Sequence, residues 1–177
     1  MTRFIRRVLG ALSLDAATYE EIEADRTAWP GAALVVIFAG IGAGIGNAGI
    51  GDAAPPVIAV VAALSVLVWL AWATIVRQLG GQALAEPGTV VDFGQVLRTL
   101  GFAAAPGMFR AFEIFGGTRR IVLPLTALWM IAAMVVAIRQ ACDYRSLGRA
   151  IAVAVLGWVM LVAAGVVVGL WLTTPVS

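Results

Sequence analysis

Two long apolar runs limit what this chain can fold into more than any other feature of its sequence. Residues 57–76 and residues 150–172 contain no charged side chain. A helix of roughly 20 apolar residues crosses the ~30 Å hydrocarbon core of a bilayer, whereas strands and most core helices of soluble proteins are shorter. We therefore predict a transmembrane helix for each of these two runs.

The composition extends this interpretation to the whole chain. Hydrophobic residues make up 62% of the 177 residues and charged residues 12%, which is about half of the ~25% found in soluble domains. A soluble fold of this length has no interior large enough for so much apolar surface. The sequence thus predicts an integral membrane protein of the all-α class, a polytopic bundle of helices.

Polar and proline-containing breaks divide the chain into an amino-terminal segment, residues 1–29, and a transmembrane domain, residues 30–177. Five candidate spans lie within the transmembrane domain, and they cover residues 30–49, 57–76, 95–115, 121–138 and 150–172, of which the third either crosses the membrane or re-enters. The amino-terminal segment is predicted to form amphipathic helices at the membrane surface. Its apolar stretch is too short for a signal peptide and lacks a small-residue cleavage site, so we expect it to be retained.

The third predicted span is short and contains charged residues. Only eleven uncharged residues separate Arg98 from Arg110, a rise of roughly 18 Å in an α-helix. Pro106 should bend the helix, and Arg110 and Glu113 are spaced to pair on one helical face. A kinked span with arginines reaching opposite surfaces and a re-entrant segment both fit, and either makes these residues a possible polar site.

The first predicted helix combines basic and apolar faces. Arg3, Arg6 and Arg7 lie on one side of residues 2–12. The other side carries Phe4, Ile5, Val8, Leu9 and Leu12. This pattern is typical of a helix that lies in the headgroup layer of an anionic leaflet. The alternative is an exposed helix end that only sets the topology.

A second, acidic helix is predicted from residue 16 to about residue 27. Asp15 precedes it and has the side chain of a preferred N-cap residue. Tyr19, Ile22 and Trp29 mark its apolar side. The opposite side is acidic and contains Glu20, Glu21, Glu23 and Asp25. This acidic side is either a solvated face or a docking surface for a basic partner.

Small residues at a spacing of four predict close packing between helices. The first span contains Gly40, Gly42, Gly44 and Gly46, and the last span contains Gly165 and Gly169. Such pairs allow two helix backbones to approach closely within a membrane. Gly44, Gly46 and Gly49 also match a dinucleotide-binding pattern, but no strand precedes them, so we assign them to packing and a loop.

The residue types present exclude most chemistry. The chain has no histidine and one cysteine, Cys142, so zinc, haem and iron–sulfur sites lack ligands. No lysine or histidine is present to activate a nucleophile, and the net charge of +2 gives no support for nucleic-acid binding. We predict a protein that is not an enzyme and that has no metal, soluble cofactor or nucleic acid as partner.

The basic residues also bear on location. All twelve are arginine, which together with heavy Ala, Gly and Val use suggests a GC-rich bacterial genome and hence the inner membrane. With a cytoplasmic amino terminus, nine arginines fall inside and three outside whether the chain has five spans or four with a re-entrant third. The positive-inside rule therefore favours a cytoplasmic amino terminus but does not decide the number of spans.

Two stretches resemble bacterial members of the Yip1 domain family. They are residues 14–22, with the sequence LDAATYEEI, and residues 100–106, with the sequence LGFAAAP. Phe102 stands where many members carry tyrosine. The resemblance implies five spans, a cytoplasmic amino-terminal segment and no catalytic activity. Eukaryotic relatives bind Rab-type GTPases through longer cytoplasmic regions, and this partner does not carry over to the present chain.

These observations lead to three hypotheses of function. The first is a non-enzymatic inner-membrane protein that acts through helix–helix contacts of its Gly-rich faces with itself or other membrane proteins, in addition to membrane lipids. The second is a small accessory subunit of a respiratory, photosynthetic or ATP-synthesising complex. The third is a minor transporter or channel component that uses the Pro106 region.

Overall fold

The computed structural model describes residues 2–48, 55–115 and 117–173, and this part of the chain is helical without any β-strand. Its α-helices are α1 Thr2–Leu12, α2 Ala16–Ala24, α3 Trp29–Ala48, α4 Pro55–Gln78, α5 Phe93–Ala103, α6 Arg119–Ala141 and α7 Leu147–Thr173. The predicted all-α class is confirmed. Gly49, the predicted end of the first span, lies outside the described residues.

Among the residues that the structure describes, four helical stretches are long and apolar enough to cross a membrane. They are Arg26–Ala48, Pro55–Ala83, Arg119–Ala141 and Leu147–Trp171. Four of the five predicted spans therefore correspond to helices of membrane length. The second of these stretches includes a single π-helical turn, Leu79–Ala83, that continues α4.

Side-chain caps fix the ends of the shorter helices. Asp15 accepts hydrogen bonds from the backbone N–H groups of Ala17 and Thr18, which confirms the predicted N-cap. The helix that follows ends at Ala24 rather than near residue 27. Its extension fails because Asp25 accepts from the Thr27 N–H and starts a separate 3₁₀ turn, a local hydrogen bond that competes with the helix.

The third predicted span is not one kinked α-helix. It begins as α5 and continues, after Ala104, as a 3₁₀-helix over Ala105–Ile114. Pro106 lies in the first turn of this 3₁₀-helix, where its missing N–H removes no hydrogen bond. A 3₁₀-helix rises ~2.0 Å per residue, so this short stretch extends further than an α-helix of the same length.

This third segment, residues 93–114, runs beside α3 in the same direction. A Cβ on Gly101 would lie 2.6 Å from the Ala32 Cβ, and one on Gly107 would lie 3.0 Å from the Ala39 Cβ. Further along, a Cβ on Gly42 would lie 2.7 Å from the Met108 carbonyl oxygen. The segment thus extends from the beginning of α3 towards its end.

The remaining helices complete the bundle around α3. Helix α4 returns antiparallel to α3, since Gly44 contacts Ile58 and Gly40 contacts Ser65. Helix α7 packs through its first half, where a Cβ on Gly157 would lie 3.0 Å from the Trp72 ring. A Cβ on Gly165, in its second half, would meet nothing within 4 Å. Most of α7 is consequently exposed at the surface of the chain.

Candidate functional site

An ionic cluster joins the first two helices. The Arg7 side chain is 7% exposed and donates to Glu21 at 3.0 Å and to Asp25 at 2.6 Å. Arg6 pairs with the same Glu21 carboxylate at 2.6 Å, and Arg3 lies 3.8 Å from Asp25. The acidic side of α2 thus finds its basic partner within the chain, in α1.

The three arginines predicted to face lipid headgroups differ in how accessible this cluster leaves them. Arg3 and Arg6 keep 70% and 65% of their side-chain surface exposed, so both can still reach a phosphate. Arg7 is buried between two carboxylates and cannot do so. The apolar side of α1 divides as well, because Phe4 and Val8 pack against the bundle while Ile5 and Leu9 are exposed.

Arg98 joins α2 to the third segment. It is buried, its Nε donates to the Ile22 carbonyl oxygen at 3.2 Å, and its Nη2 donates to the Glu23 carbonyl oxygen. These carbonyls belong to the last turn of α2, where backbone acceptors have no partner within the helix. Arg98 therefore caps the end of α2 from a different helix.

Three further contacts hold the amino-terminal helices on the bundle. Trp129 in α6 donates its indole N–H to the Leu12 carbonyl oxygen at 2.8 Å. Gln140, also in α6, donates to the Glu20 carboxylate at 2.9 Å. The Phe4 ring lies 6.2 Å from the Phe102 ring, centroid to centroid. Helices α1 and α2 are thereby fixed to α5 and α6.

Two carboxyl groups near the end of α2 have opposite pKa shifts. Burial, with the nearby Asp143 and Glu20 carboxylates, raises the pKa of Glu23 to about 7, although Arg98 opposes the shift. Hydrogen bonds from the Thr27 side chain and from Arg7 lower the pKa of Asp25. Asp25 thus carries the charge that Arg7 requires, whereas Glu23 titrates near neutral pH.

A second ionic group, which we call the distal cluster, lies at the carboxyl-terminal end of α3, away from α1 and α2. It consists of Asn47, Arg110, Glu113 and Arg119. The Glu113 side chain is 0% exposed and accepts from Arg110 Nε at 2.8 Å, with Arg119 Nε at 3.9 Å. This confirms the predicted pairing of Arg110 with Glu113. Glu113 Oε2 has no hydrogen-bond partner among the described residues.

The glycines of the first span are used within the chain. Gly40 and Gly44 face α4, and Gly42 and Gly46 face the 3₁₀ part of the third segment. A Cβ on Gly46 would collide with the Arg110 carbonyl oxygen and lie 2.9 Å from the Glu113 Cβ. All four are buried, so these faces do not contact a partner protein. A Cβ on Gly169 would meet nothing within 4 Å.

A cavity of about 300 Å³, which we call the lateral groove, lies between α3, α4, the third segment and α6. Its lining is mostly apolar and includes Ala43, Val68, Trp72 and Met134, with Arg110 as its charged residue. The Trp72 indole N–H is buried and has no acceptor among the described residues. Sequence reasoning missed this groove, because helices distant in the chain form it.

The described residues bring together no cluster of three or more histidine, cysteine, aspartate or glutamate side chains that could bind a metal ion. Arg98, Arg110 and Glu113 do not form one polar site, since Arg98 lies at the amino-terminal end of α3 and the other two at its far end. Sequence reasoning also missed Asn47, whose amide oxygen accepts from both Arg110 and Arg119.

Comparison with known proteins adds no assignment: no family model matches the chain, and neither a curated protein nor a solved structure is significantly similar to it.

Proposed function

We propose that this chain is a non-enzymatic, five-span protein of the bacterial inner membrane, similar to the Yip1 domain family, which acts through helix contacts with other membrane proteins or a second copy. One observation carries the proposal. The charged residues buried in the described part of the chain are Arg7, Arg98 and Glu113, and each binds a partner within the chain. A catalytic or transport site would need such groups available to a substrate.

The direction of the third segment supports a fifth crossing. Its arginines lie at opposite ends of α3, with Arg98 at the carbonyls of α2 and Arg110 at Asn47. Helix α6 starts beside Asn47, through Arg119, and ends beside α2, through Gln140. If five segments cross the membrane in alternating directions, the amino-terminal segment and the connection between α6 and α7 lie on the same side of the membrane.

This topology predicts which connections are accessible from outside the cell. In a background of Cys142→Ala, Arg120→Cys should react with a membrane-impermeant maleimide on intact cells, and Ser146→Cys should react only after disruption. Both positions are exposed, so a difference in labelling reports the side of the membrane. A re-entrant third segment predicts the reverse pattern, and observing that pattern would rule out the fifth span.

The surface left for a partner lies on α7. Of the 18 most apolar consecutive residues of this helix, only 12% are buried within the chain, compared with 50% in the stretch that contains α3. Several large side chains of α7 point away from the bundle, Trp158 among them. Because the glycines of α3 are already packed, α7 is the helix through which we propose that the protein binds its partner.

Photocrosslinking in native membranes tests this function. In the Cys142→Ala background, benzophenone maleimide attached at Ala163→Cys on α7 should yield an adduct of discrete mass. The same probe at Val60→Cys, which is exposed on α4, is the matched control and should yield little. An adduct of twice the chain mass identifies self-association, and another mass identifies a different protein or complex. No adduct from α7, with migration of a single chain in mild detergent, would refute the proposal.

A further inference from the structure

The lateral groove opens sideways, towards the space that lipid occupies. Leu64 and Val68 of α4 line it, and each is about half exposed on the outer surface of the helix. Arg110 lies beside Gly46, near the end of α3. The groove lining extends from Val36 to Ala43 along α3 and from Trp72 to Val61 along α4, and it includes Arg110, so the groove follows the bundle axis. It is therefore an elongated apolar channel with a charged residue at its distal end.

The distal cluster supplies more than one guanidinium at that end. Arg110 and Arg119 both donate from Nη2 to the Asn47 amide oxygen, at 3.4 Å and 3.2 Å. A neutral oxygen thus holds two positive groups close together. Against these two guanidinium groups the distal cluster contains one carboxylate, that of Glu113. The charge of the cluster is therefore net positive.

We propose that the lateral groove binds one acyl chain of an anionic phospholipid, whose phosphate is held by Arg110 and Arg119. An apolar cavity of about 300 Å³ lies within the size range of sites that recognise a ligand through apolar lining and a few polar groups. Guanidinium groups bind phosphate oxygens through paired, charge-assisted hydrogen bonds. The occupant comes from the leaflet at the distal end, away from α1 and its exposed arginines.

Tryptophan fluorescence provides a direct readout in a background where the exposed Trp29, Trp158 and Trp171 are replaced by phenylalanine, because Trp69 and Trp72 line the inner part of the groove. Delipidated protein in a neutral detergent is titrated with phosphatidylglycerol that carries brominated acyl chains, which quench tryptophan on contact. We expect saturable quenching, with an apparent affinity about tenfold higher than for phosphatidylcholine carrying the same chains. Equal affinity for the two lipids would overturn the proposal, because it would indicate an unselective lipid shell.

Two matched pairs of variants locate the site. Arg119→Gln should weaken phosphatidylglycerol binding about tenfold, and Arg120→Gln, the same charge change at an exposed neighbour, should change it less than twofold. Val68→Phe should fill the groove and abolish the saturable quenching, whereas Leu67→Phe on the lipid-facing side of α4 should leave it intact. Equal effects within either pair would overturn the proposal. Gel filtration verifies that each variant remains folded. The side chains of Arg119, Val68 and Leu67 are at least half exposed, so we expect their replacement to leave folding intact.

Discussion

Replacing Arg98 with alanine should release the amino-terminal helices from the bundle and lower the free energy of unfolding by about 3 kcal/mol. The guanidinium donates to two carbonyl oxygens in the last turn of α2, and it is buried where it does so. Removal of the side chain leaves those carbonyls without a donor. A buried acceptor without a partner costs about 1–3 kcal/mol.

The position of these bonds makes the effect larger than the loss of one surface contact. Arg98 comes from α5, so its hydrogen bonds are tertiary contacts as well as a helix cap. Of the three further attachments, those through Trp129 and Gln140 contact a different helix, α6, and the ring contact of Phe4 with Phe102 joins α1, not α2, to α5. We therefore expect α2 to lose its contact with α5 first and the ionic cluster with Arg7 to loosen with it.

Hydrogen–deuterium exchange and thermal unfolding in detergent measure these two effects. In Arg98→Ala, residues 2–28 should exchange faster than in the unmodified protein, and the unfolding transition should shift to lower temperature. Arg77→Ala is the control, because Arg77 is an exposed residue at the end of α4 and its loss should change neither quantity. If residues 2–28 remain equally protected in Arg98→Ala, the proposed cap does not hold them.

The features that could be predicted from the sequence are those set by nearby residues. Apolar length identified four helices of membrane length, and Asp15 was recognisable as an N-cap because the backbone N–H groups that donate to it lie two and three residues away. The pairing of Arg110 with Glu113 also follows from their spacing of three. Each of these depends on helix geometry alone, which short stretches of sequence specify.

The features that could not be predicted depend on contacts between distant residues. Arg98 donates to carbonyl groups about 75 residues earlier in the chain, and no periodic pattern in the sequence predicts such a contact. The 3₁₀ continuation after Ala104 is another example. Pro106 predicted a bend, but the extended form follows from packing against the glycines of α3. The number of spans and the partner remain predictions for the same reason.

The functional proposal depends on how the chain uses its small residues. Glycine pairs in a membrane helix indicate close approach but do not say to which helix. In α3 the partners belong to the chain itself, namely α4 for Gly40 and the third segment for Gly42. Gly165 in α7 has no such neighbour within the described residues. The same sequence pattern therefore serves packing within the bundle in α3 and leaves an open surface in α7.

A glycine-to-alanine comparison between these two helices should give opposite results. Gly46→Ala should lower the free energy of unfolding by about 2 kcal/mol, within the range for overpacking a close contact. The added methyl group would meet the Arg110 carbonyl oxygen and the Glu113 Cβ. Relief requires the third segment to move away from α3, because the carbonyl is backbone and has no rotamer to change. That movement also lengthens the hydrogen bond from Arg110 to Asn47 of α3.

Gly165→Ala makes the identical chemical change where a Cβ has open space. Alanine favours the helix over glycine by up to ~1 kcal/mol, so this variant should be as stable as the unmodified protein or slightly more stable. Unfolding in mixed detergent micelles, followed by tryptophan fluorescence, measures both variants under one condition. Equal destabilisation by the two substitutions would show that α7 is packed as closely as α3, and α7 could then no longer be the surface offered to a partner.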